Sequence, residues 1–313
     1  ARGGTAWPAD CVSSSAPLAF EAEYAVVVGS EYPGQKMGAR QLCGNCDEEE
    51  AIRSLEAWGV PRLTPQTPAD FFQSYLTRPD GSCRFSDGME VGALYNPAPV
   101  GKQCSQGILY VDQVSSKQLF ELYPELKGYS LINAQLLDDG NTLSKVATNS
   151  RGFLIASHVI EHMPRTLAAI ETWLRVLRPS GVALLVAPNK CFTFDSNRLI
   201  TNWNHFLDDY SESASPEVLD RMWHDHLPEW VLSHLTSARQ NMTAFRAQLE
   251  DFNNGLRAGT FQQRGGMHFH TWTQSSWVSF WRHAQQPGTV GFNFRVLAIG
   301  FHGMNMYAAI EKL

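Results

Sequence analysis

The sequence predicts an α/β domain built on a doubly wound, largely parallel sheet, and three observations predict it. First, Arg151 to Lys190 holds an apolar run (Phe153–Ala156), then Leu167, Ile170, Trp173, Leu174 and Leu177 at three- and four-residue spacing, then a second apolar run (Val182–Ala187). That succession reads as strand, one-faced helix and strand, a right-handed βαβ unit with both strands buried. Second, the same alternation runs ahead of it, from residue 88 to residue 134. Third, polar side chains collect just past the apolar runs, where such sheets bind ligands beyond the carboxyl ends of their strands.

Taken in order, residues 1 to about 80 form a heterogeneous lead-in expected to cap one end of the core and shape the substrate entrance. Phe20–Val28 has strand-like content, and Glu48–Trp58 reads as an amphipathic helix with an acidic first turn. Thr64–Leu76 contains another helix start at Pro-Ala-Asp. The core opens with a strand at Met89–Val91 running into Gly92, where a missing Cβ lets backbone approach a ligand. Gly107–Val111 is a second strand ending at Asp112, about 20 residues past the glycine turn, where nucleotide-type folds hold ribose hydroxyls. Ser115–Tyr123 is a helix, Tyr129–Ala134 a third and weaker strand, and Asp138-Asp139-Gly140 an acidic turn. Arg-Pro-Ser-Gly at 178–181 stops the central helix. Phe192–Tyr210 and Ser215–Leu256 are rich in helix formers, with Trp223, Trp230, Leu232, Leu235 and Phe245 as anchors of a lid before the last strands. Gln274–Arg282 is a helix, and Phe294–Phe301 with Met306–Ile310 is a final antiparallel pair.

The totals narrow the function classes. A chain of 313 residues with 43% hydrophobic content can bury one large core with an appended lobe. A net charge of −6 without a concentrated basic run argues against a nucleic-acid binder. No apolar stretch approaches a membrane span. The first residue is Ala1, so any targeting segment is removed or not included. Six cysteines include one close pair, Cys43-Gly-Asn-Cys46, which reads as a disulfide or two plain thiols rather than half a zinc site. The lone sequon Asn241-Met-Thr243 carries little weight. The compartment stays open, with the cytoplasm favoured over an organelle or a secretory lumen, and oligomeric state is not legible.

Glu90-Val-Gly-Ala-Leu-Tyr-Asn-Pro97, Tyr110-Val-Asp112, Ser157-His-Val-Ile-Glu-His162, Trp173–Gly181 and Ala187-Pro-Asn-Lys190 occur in the order of the motifs of class I S-adenosylmethionine-dependent methyltransferases, which the chain resembles over roughly residues 85–313. In detail it is similar to a bacterial-type group found with glycan-building enzymes, which also has segments like Phe192-Thr-Phe-Asp195 and His268-Phe-His-Thr-Trp-Thr273. The resemblance implies a Rossmann-like seven-stranded sheet at 85–313, with residues 1–84 as an N-terminal extension and 192–282 as a lid. It implies S-adenosyl-L-methionine as cofactor, S-adenosylhomocysteine as product, and O-methylation of a saccharide or other small polar acceptor. Glu90, Gly92 and Ala93 would flank the methionine moiety. Asp112, with Gln113 beside it, would accept the ribose hydroxyls, Asp138 or Asp139 would face adenine, and Ser157 and His158 would line the sulfonium. Asn189, Lys190, His205, His268 and His270 are the candidate acceptor contacts. Three departures stand out: a single glycine in the loop, Ser180 where glycine is usual, and Asn189 where aspartate is common.

Methyl transfer from a sulfonium is an in-line displacement, so alignment dominates, and a hydroxyl nucleophile benefits from a general base. His158 or His162 is the candidate base and Glu161 its orienter. The competing structural reading has His162 capping the next helix and Glu161 bonded to backbone. His268 and His270 alternate along an extended stretch and are expected not to face one pocket side. His205, near Asp208-Asp209, is a weaker candidate. His158-Val-Ile-Glu-His162 also matches the inverted zinc-protease string, but Pro164 and the preceding strand place the helix after the motif, so no metal is assigned. A methyltransferase fold that has lost catalysis and serves as an interaction subunit is the remaining alternative.

Overall fold

The structure, a computed structural model, describes residues 45–122, 126–223, 225–226 and 267–313. The strand expected at Phe20–Val28, the anchors Trp230, Leu232, Leu235 and Phe245, the sequon and Cys43 lie outside the described residues. Before residue 85 come helix α1 (Asn45–Trp58), strand β1 (Arg62–Leu63) and helix α2 (Pro68–Leu76). Asp47 and Glu48 sit in the first turn of α1, as its positive dipole end favours. Thr67 and Asp70 form a reciprocal capping box that starts α2, with Pro68 in its first turn.

The sheet then builds through β2 (Gly88–Val91), helix α3 (Lys102–Ser105), β3 (Ile108–Asp112), α4 (Ser116–Leu122), β4 (Leu136–Leu137), β5 (Arg151–Ser157), α5 (Thr166–Val176) and β6 (Leu177–Pro188). Helix α6 (Trp203–Ser211), helix α7 (Gln274–Ala284) and the antiparallel pair β7 (Phe294–His302) and β8 (Asn305–Lys312) complete it. The strand order is β1-β7-β8-β6-β5-β2-β3-β4. Only β8 runs against its neighbours; the other pairings are parallel. Among the described residues the sheet has eight strands rather than the expected seven, because β1 joins the edge beside β7. Residues 45–84 thus contribute an edge strand, and their helices bury Ala51 and Leu55 on one sheet face and Phe71, Phe72 and Leu76 on the other.

Alternation along β5 divides the two cores. Leu154 and Ala156 pack with α5 and α7, whereas Phe153 and Ile155 pack with α2. Gly88 lies opposite Phe153, and an added Cβ would fall 2.0 Å from the end of that ring.

Two expectations are corrected. The third strand is β4 rather than Tyr129–Ala134. There the Gln135 side chain accepts the Tyr110 N–H (2.7 Å), a bond a neighbouring strand would otherwise make, and Ile132 donates to Leu94 O instead. The sequence around 178–181 does not merely stop a helix: β6 begins at Leu177 with a register shift, and Ser180 adopts φ +61°. Beyond the Cys43–Cys46 pair considered from the sequence, Cys83 and Cys104, 21 residues apart, form a disulfide, and Cys191 is disulfide-bonded as well. Connectivity of this kind is not deducible from spacing.

From β2 the chain winds to β3 and β4 on one side, and from β5 to β6 on the other. Neighbours β2 and β5 therefore form the topological switch point, and a crevice for a ligand opens beyond their carboxyl ends.

Candidate functional site

At the tip of β2, Gly92 has φ +68°, and a Cβ there would meet Val159 Cγ2 at 3.0 Å, so both conformation and space call for glycine. Its own N–H donates to Val111 O (2.9 Å) and belongs to the sheet. Ala93 follows, and Leu94 keeps a left-handed φ of +49°. Glu90 is buried; one oxygen accepts the Ala98 N–H (2.9 Å) and the other has no hydrogen-bond partner among the described residues. Burial pushes its carboxyl up to about 7 against that single bond.

At the tip of β3, Asp112 is half-buried and accepts from the N–H of the exposed Gln113 (2.7 Å). Burial raises its carboxyl, countered by the Gln113 and Val114 amides. Beyond β4 the acidic pair divides. Asp138 accepts from Asp139 N (2.9 Å), Ser144 Oγ (3.1 Å) and Lys145 N (2.7 Å), so its carboxylate is spent on its own loop. Asp139 binds the Asn141 amides through Oδ1 (2.8 and 3.1 Å). Arg175 and Trp173 on α5 hold the same loop through the carbonyls of Gly140, Leu143 and Val146.

At the tip of β5, Ser157 is half-buried and His158 adopts φ +55°, a strained conformation for a side chain of this size. Its Nε2 lies 2.9 Å from Asn305 Oδ1 and its Nδ1 3.6 Å from Glu161 Oε1. Burial disfavours the imidazolium, but the Glu161 carboxylate and Asn305 outweigh it, and His158 titrates above its ordinary value. Glu161 and His162 follow in a three-residue 3-10 turn (Ile160–His162). The inverted-protease string is thus no helical face, as its proline and preceding strand implied.

Glu161 is 1% exposed, and neither carboxylate oxygen has a hydrogen-bond partner among the described residues. Its main-chain carbonyl accepts Phe269 N–H (2.7 Å), which draws 267–270 onto the turn. His162 Nε2 stands 3.9 Å from Glu161 Oε1, while Nδ1 donates to Met267 O (2.9 Å). The structural reading of Glu161 bonded to backbone is not what the side chain does. Burial alone would raise Glu161, yet the three surrounding histidines, His158, His162 and His268, bring it below the usual carboxylate range. Burial, by contrast, lowers His162.

His268 lies edge-on to His162 with ring centroids 4.8 Å apart, and its Nδ1 is 2.5 Å from Asp195 Oδ2. Asp195 is buried and paired to buried Arg198 (2.9 Å), which also donates to His268 O (2.7 Å). His270 goes elsewhere: Nδ1 bonds Thr166 Oγ1 (3.0 Å) and Nε2 bonds Asp209 Oδ2 (2.9 Å), with His205 3.2 Å from the same oxygen. In a regular strand, residues two apart share a face. They separate here because 267–273 is irregular, bridged to the sheet at Asn189–Trp272. Burial pushes Asp209 up to about 7 and holds His270 well down, which suits a neutral acid donating to a neutral imidazole. Asn189 and Lys190 are both buried. The Asn189 side chain caps the next turn through Cys191 N (3.0 Å), and Lys190 Nζ donates to Ser196 O (2.9 Å).

The structure therefore gathers His158, Glu161, His162 and His268 into one cluster beside the β5 tip, puts His205 and His270 in a second, and gives Asn189, Lys190 and Asp138 structural partners. Asp195 and Asp209 enter the sequence reading only as part of the 192–195 segment and of the acidic pair beside His205, without a role, and nothing around Asn305 signals its contact with His158. Two depressions among the described residues are lined by residues outside this cluster. One of about 700 Å³ is lined by Cys83, Phe85, Lys102 and Gln106, and one of about 330 Å³ by Asp47, Asn189, Phe192 and His302.

No protein-family model and no curated protein matches the chain. Among solved structures it is similar to the trans-methyltransferase CalH complexed with SAH, at 14% identity and a TM-score of 0.35, covering 78% of this chain and 53% of CalH. The chain thus spans about half the length of that protein. YcgJ from Bacillus subtilis is similar at 11% identity and TM-score 0.32, covering 83% and 96%. A SAM-dependent methyltransferase from Methanosarcina mazei is similar at 15% and 0.33, covering 80% and 98%. Likenesses this distant decide nothing about reaction or substrate. The strand order, with its switch point and final antiparallel pair, carries the fold, which is Rossmann-like and of the class I methyltransferase type. Among the described residues, no helix is long and apolar enough to cross a membrane.

Proposed function

We propose that the chain is an S-adenosylmethionine-dependent methyltransferase whose donor lies across the tips of β2, β3 and β5. The observation that carries this reading is the switch point itself, where the β2 tip ends in a glycine with left-handed backbone and the adjacent β5 tip in a strained histidine, with Asp112 one strand away. In this reading Gly92 and Ala93 admit the methionine moiety and Asp112 accepts the ribose hydroxyls. Asp139 is the better-placed partner for adenine, because Asp138 is already satisfied. The acceptor is a small polar hydroxyl compound of the saccharide type. A hydroxyl must lose a proton as it takes the methyl group, and His158, held between Asn305 and Glu161, is the group placed to receive it. The Cys83–Cys104 disulfide favours an oxidising compartment over the cytoplasm expected from the sequence.

The test is calorimetric titration of the purified chain with S-adenosylmethionine and with S-adenosylhomocysteine. One equivalent binds, and Asp112→Ala weakens binding by about 10-fold, the worth of a charged acceptor's hydrogen bonds. Absence of binding at millimolar ligand would leave the inert, interaction-subunit reading in its place.

A further inference from the structure

We propose that Glu161, His162 and His268 form a binding site for one divalent transition-metal ion, with zinc the best match to the donor set. The three ligand atoms lie within 4.8 Å of one another. Zinc bonds of about 2.0–2.2 Å place tetrahedral ligands about 3.4 Å apart, so the side chains need to close by roughly 1 Å.

Three features separate a built metal site from a chance cluster. Glu161 is a fully buried carboxylate with no partner within hydrogen-bond distance among the described residues, and the imidazoles that face it stand off at 3.6 and 3.9 Å, a gap that a cation would bridge. Each histidine has one ring nitrogen already engaged, as metal ligands commonly do: His162 Nδ1 donates to Met267 O and His268 Nδ1 to Asp195, so each has Nε2 left to offer an ion. The Asp195–His268 pair is the carboxylate–histidine arrangement that fixes tautomer and raises ligand basicity, and Arg198 anchors it in turn.

The neighbouring triad of His205, Asp209 and His270 is as compact but fails this comparison. His270 spends both ring nitrogens, on Thr166 and Asp209, so no lone pair remains for an ion. Two imidazoles and one carboxylate suit zinc or a similar transition ion better than magnesium or calcium, which prefer all-oxygen shells. Three protein ligands also leave a coordination position open, as in catalytic rather than structural sites. An acceptor hydroxyl oxygen fits that position, and the metal would ease loss of its proton. This last step rests on the methyltransferase reading; the metal site itself does not.

The experiment titrates chelator-treated full chain with Zn²⁺ calorimetrically and with Co²⁺ by visible absorption, without S-adenosylmethionine. One equivalent binds, with a Co²⁺ spectrum of nitrogen and oxygen ligation. Glu161→Gln and His268→Gln weaken binding at least 10-fold, and Asp195→Asn weakens it by about 10-fold through His268. His205→Asn, in the other triad, leaves affinity and stoichiometry unchanged. Near-ultraviolet circular dichroism checks the fold of each variant, and His162→Gln substitutes for any that unfolds. No binding by the folded chain, or binding lost on His205→Asn but kept on Glu161→Gln, overturns the site. S-adenosylmethionine titration of the same sample separates the two readings, since either ligand can bind where the other fails.

Discussion

Asp138 and Glu161 are two buried carboxylates reached by the chain just past two strands of one sheet, β4 and β5, and they are treated in opposite ways. Asp138 takes two main-chain N–H groups and a hydroxyl, all from the seven residues that follow it, and so folds its own loop. Glu161 takes no hydrogen bond among the described residues and is met only by imidazole rings at 3.6 Å or more. A satisfied carboxylate belongs to the architecture. An unsatisfied one, kept buried against the cost of desolvation, marks where a ligand completes the structure.

The largest effect is expected at the satisfied member. Asp138→Ala strands the Asp139 and Lys145 amides and the Ser144 hydroxyl, and urea denaturation should show a loss of about 4 kcal/mol. A loss below 1 kcal/mol would mean that the 138–145 loop is held by Arg175 and Trp173 alone. Glu90 is the intermediate case, with one oxygen bonded and one bare. Its carboxyl rises from 4.5 to about 7 on folding, so the folded chain keeps a proton that the unfolded chain releases above pH 4.5. Its contribution is therefore complete below pH 4.5 and falls as pH rises through 7, a span of about 3 kcal/mol. Denaturation at pH 4.5 and 7.5 should show that decline in the parent and lose it in Glu90→Gln.

Much of the fold was legible because long apolar runs and helical spacing are strong signals: β5, α5, β6 and the β7–β8 pair fall where Phe153–Ala156, Leu167–Leu177, Val182–Ala187 and the last two runs put them. The failures have local causes. At Tyr129–Ala134 the apolar content was real, but a glutamine side chain competed successfully for the strand's hydrogen bond. Cys83 and Cys104 meet only because α2 and α3 share a sheet face, which no spacing reveals. In the site, Glu161, His162 and His268 were all named from sequence, yet their convergence was not, since it depends on Phe269 docking on the Glu161 carbonyl. Asn189 and Lys190 were named from their place at a strand tip, but their polar atoms are turned to caps and carbonyls.

Strain divides along the same line as hydrogen bonding. Ser180 and His158 both hold left-handed backbone, the first at the start of β6 and the second at the candidate site. Ser180→Gly should stabilise the chain by about 1 kcal/mol with no change in ligand binding, because nothing functional is attached to that conformation. An equal gain in stability from His158→Gly, with S-adenosylmethionine affinity retained, would remove the functional significance of the strained tip.

The smallest expected effect is the sharpest test of the comparison. Glu161→Gln should change the stability of the metal-free chain by less than about 1 kcal/mol, since the cost of desolvating the carboxylate and its attraction to the imidazoles at 3.6 Å and beyond nearly offset each other. Chemical denaturation in chelator, beside Asp138→Ala, measures both carboxylates on one scale. If Glu161→Gln is as damaging as Asp138→Ala, then the ion pairs to His158 and His162 already satisfy the carboxylate, and its isolation is only apparent. If it is neutral, the folded chain gains nothing from this buried charge by itself, and the reason for its placement lies in what it binds.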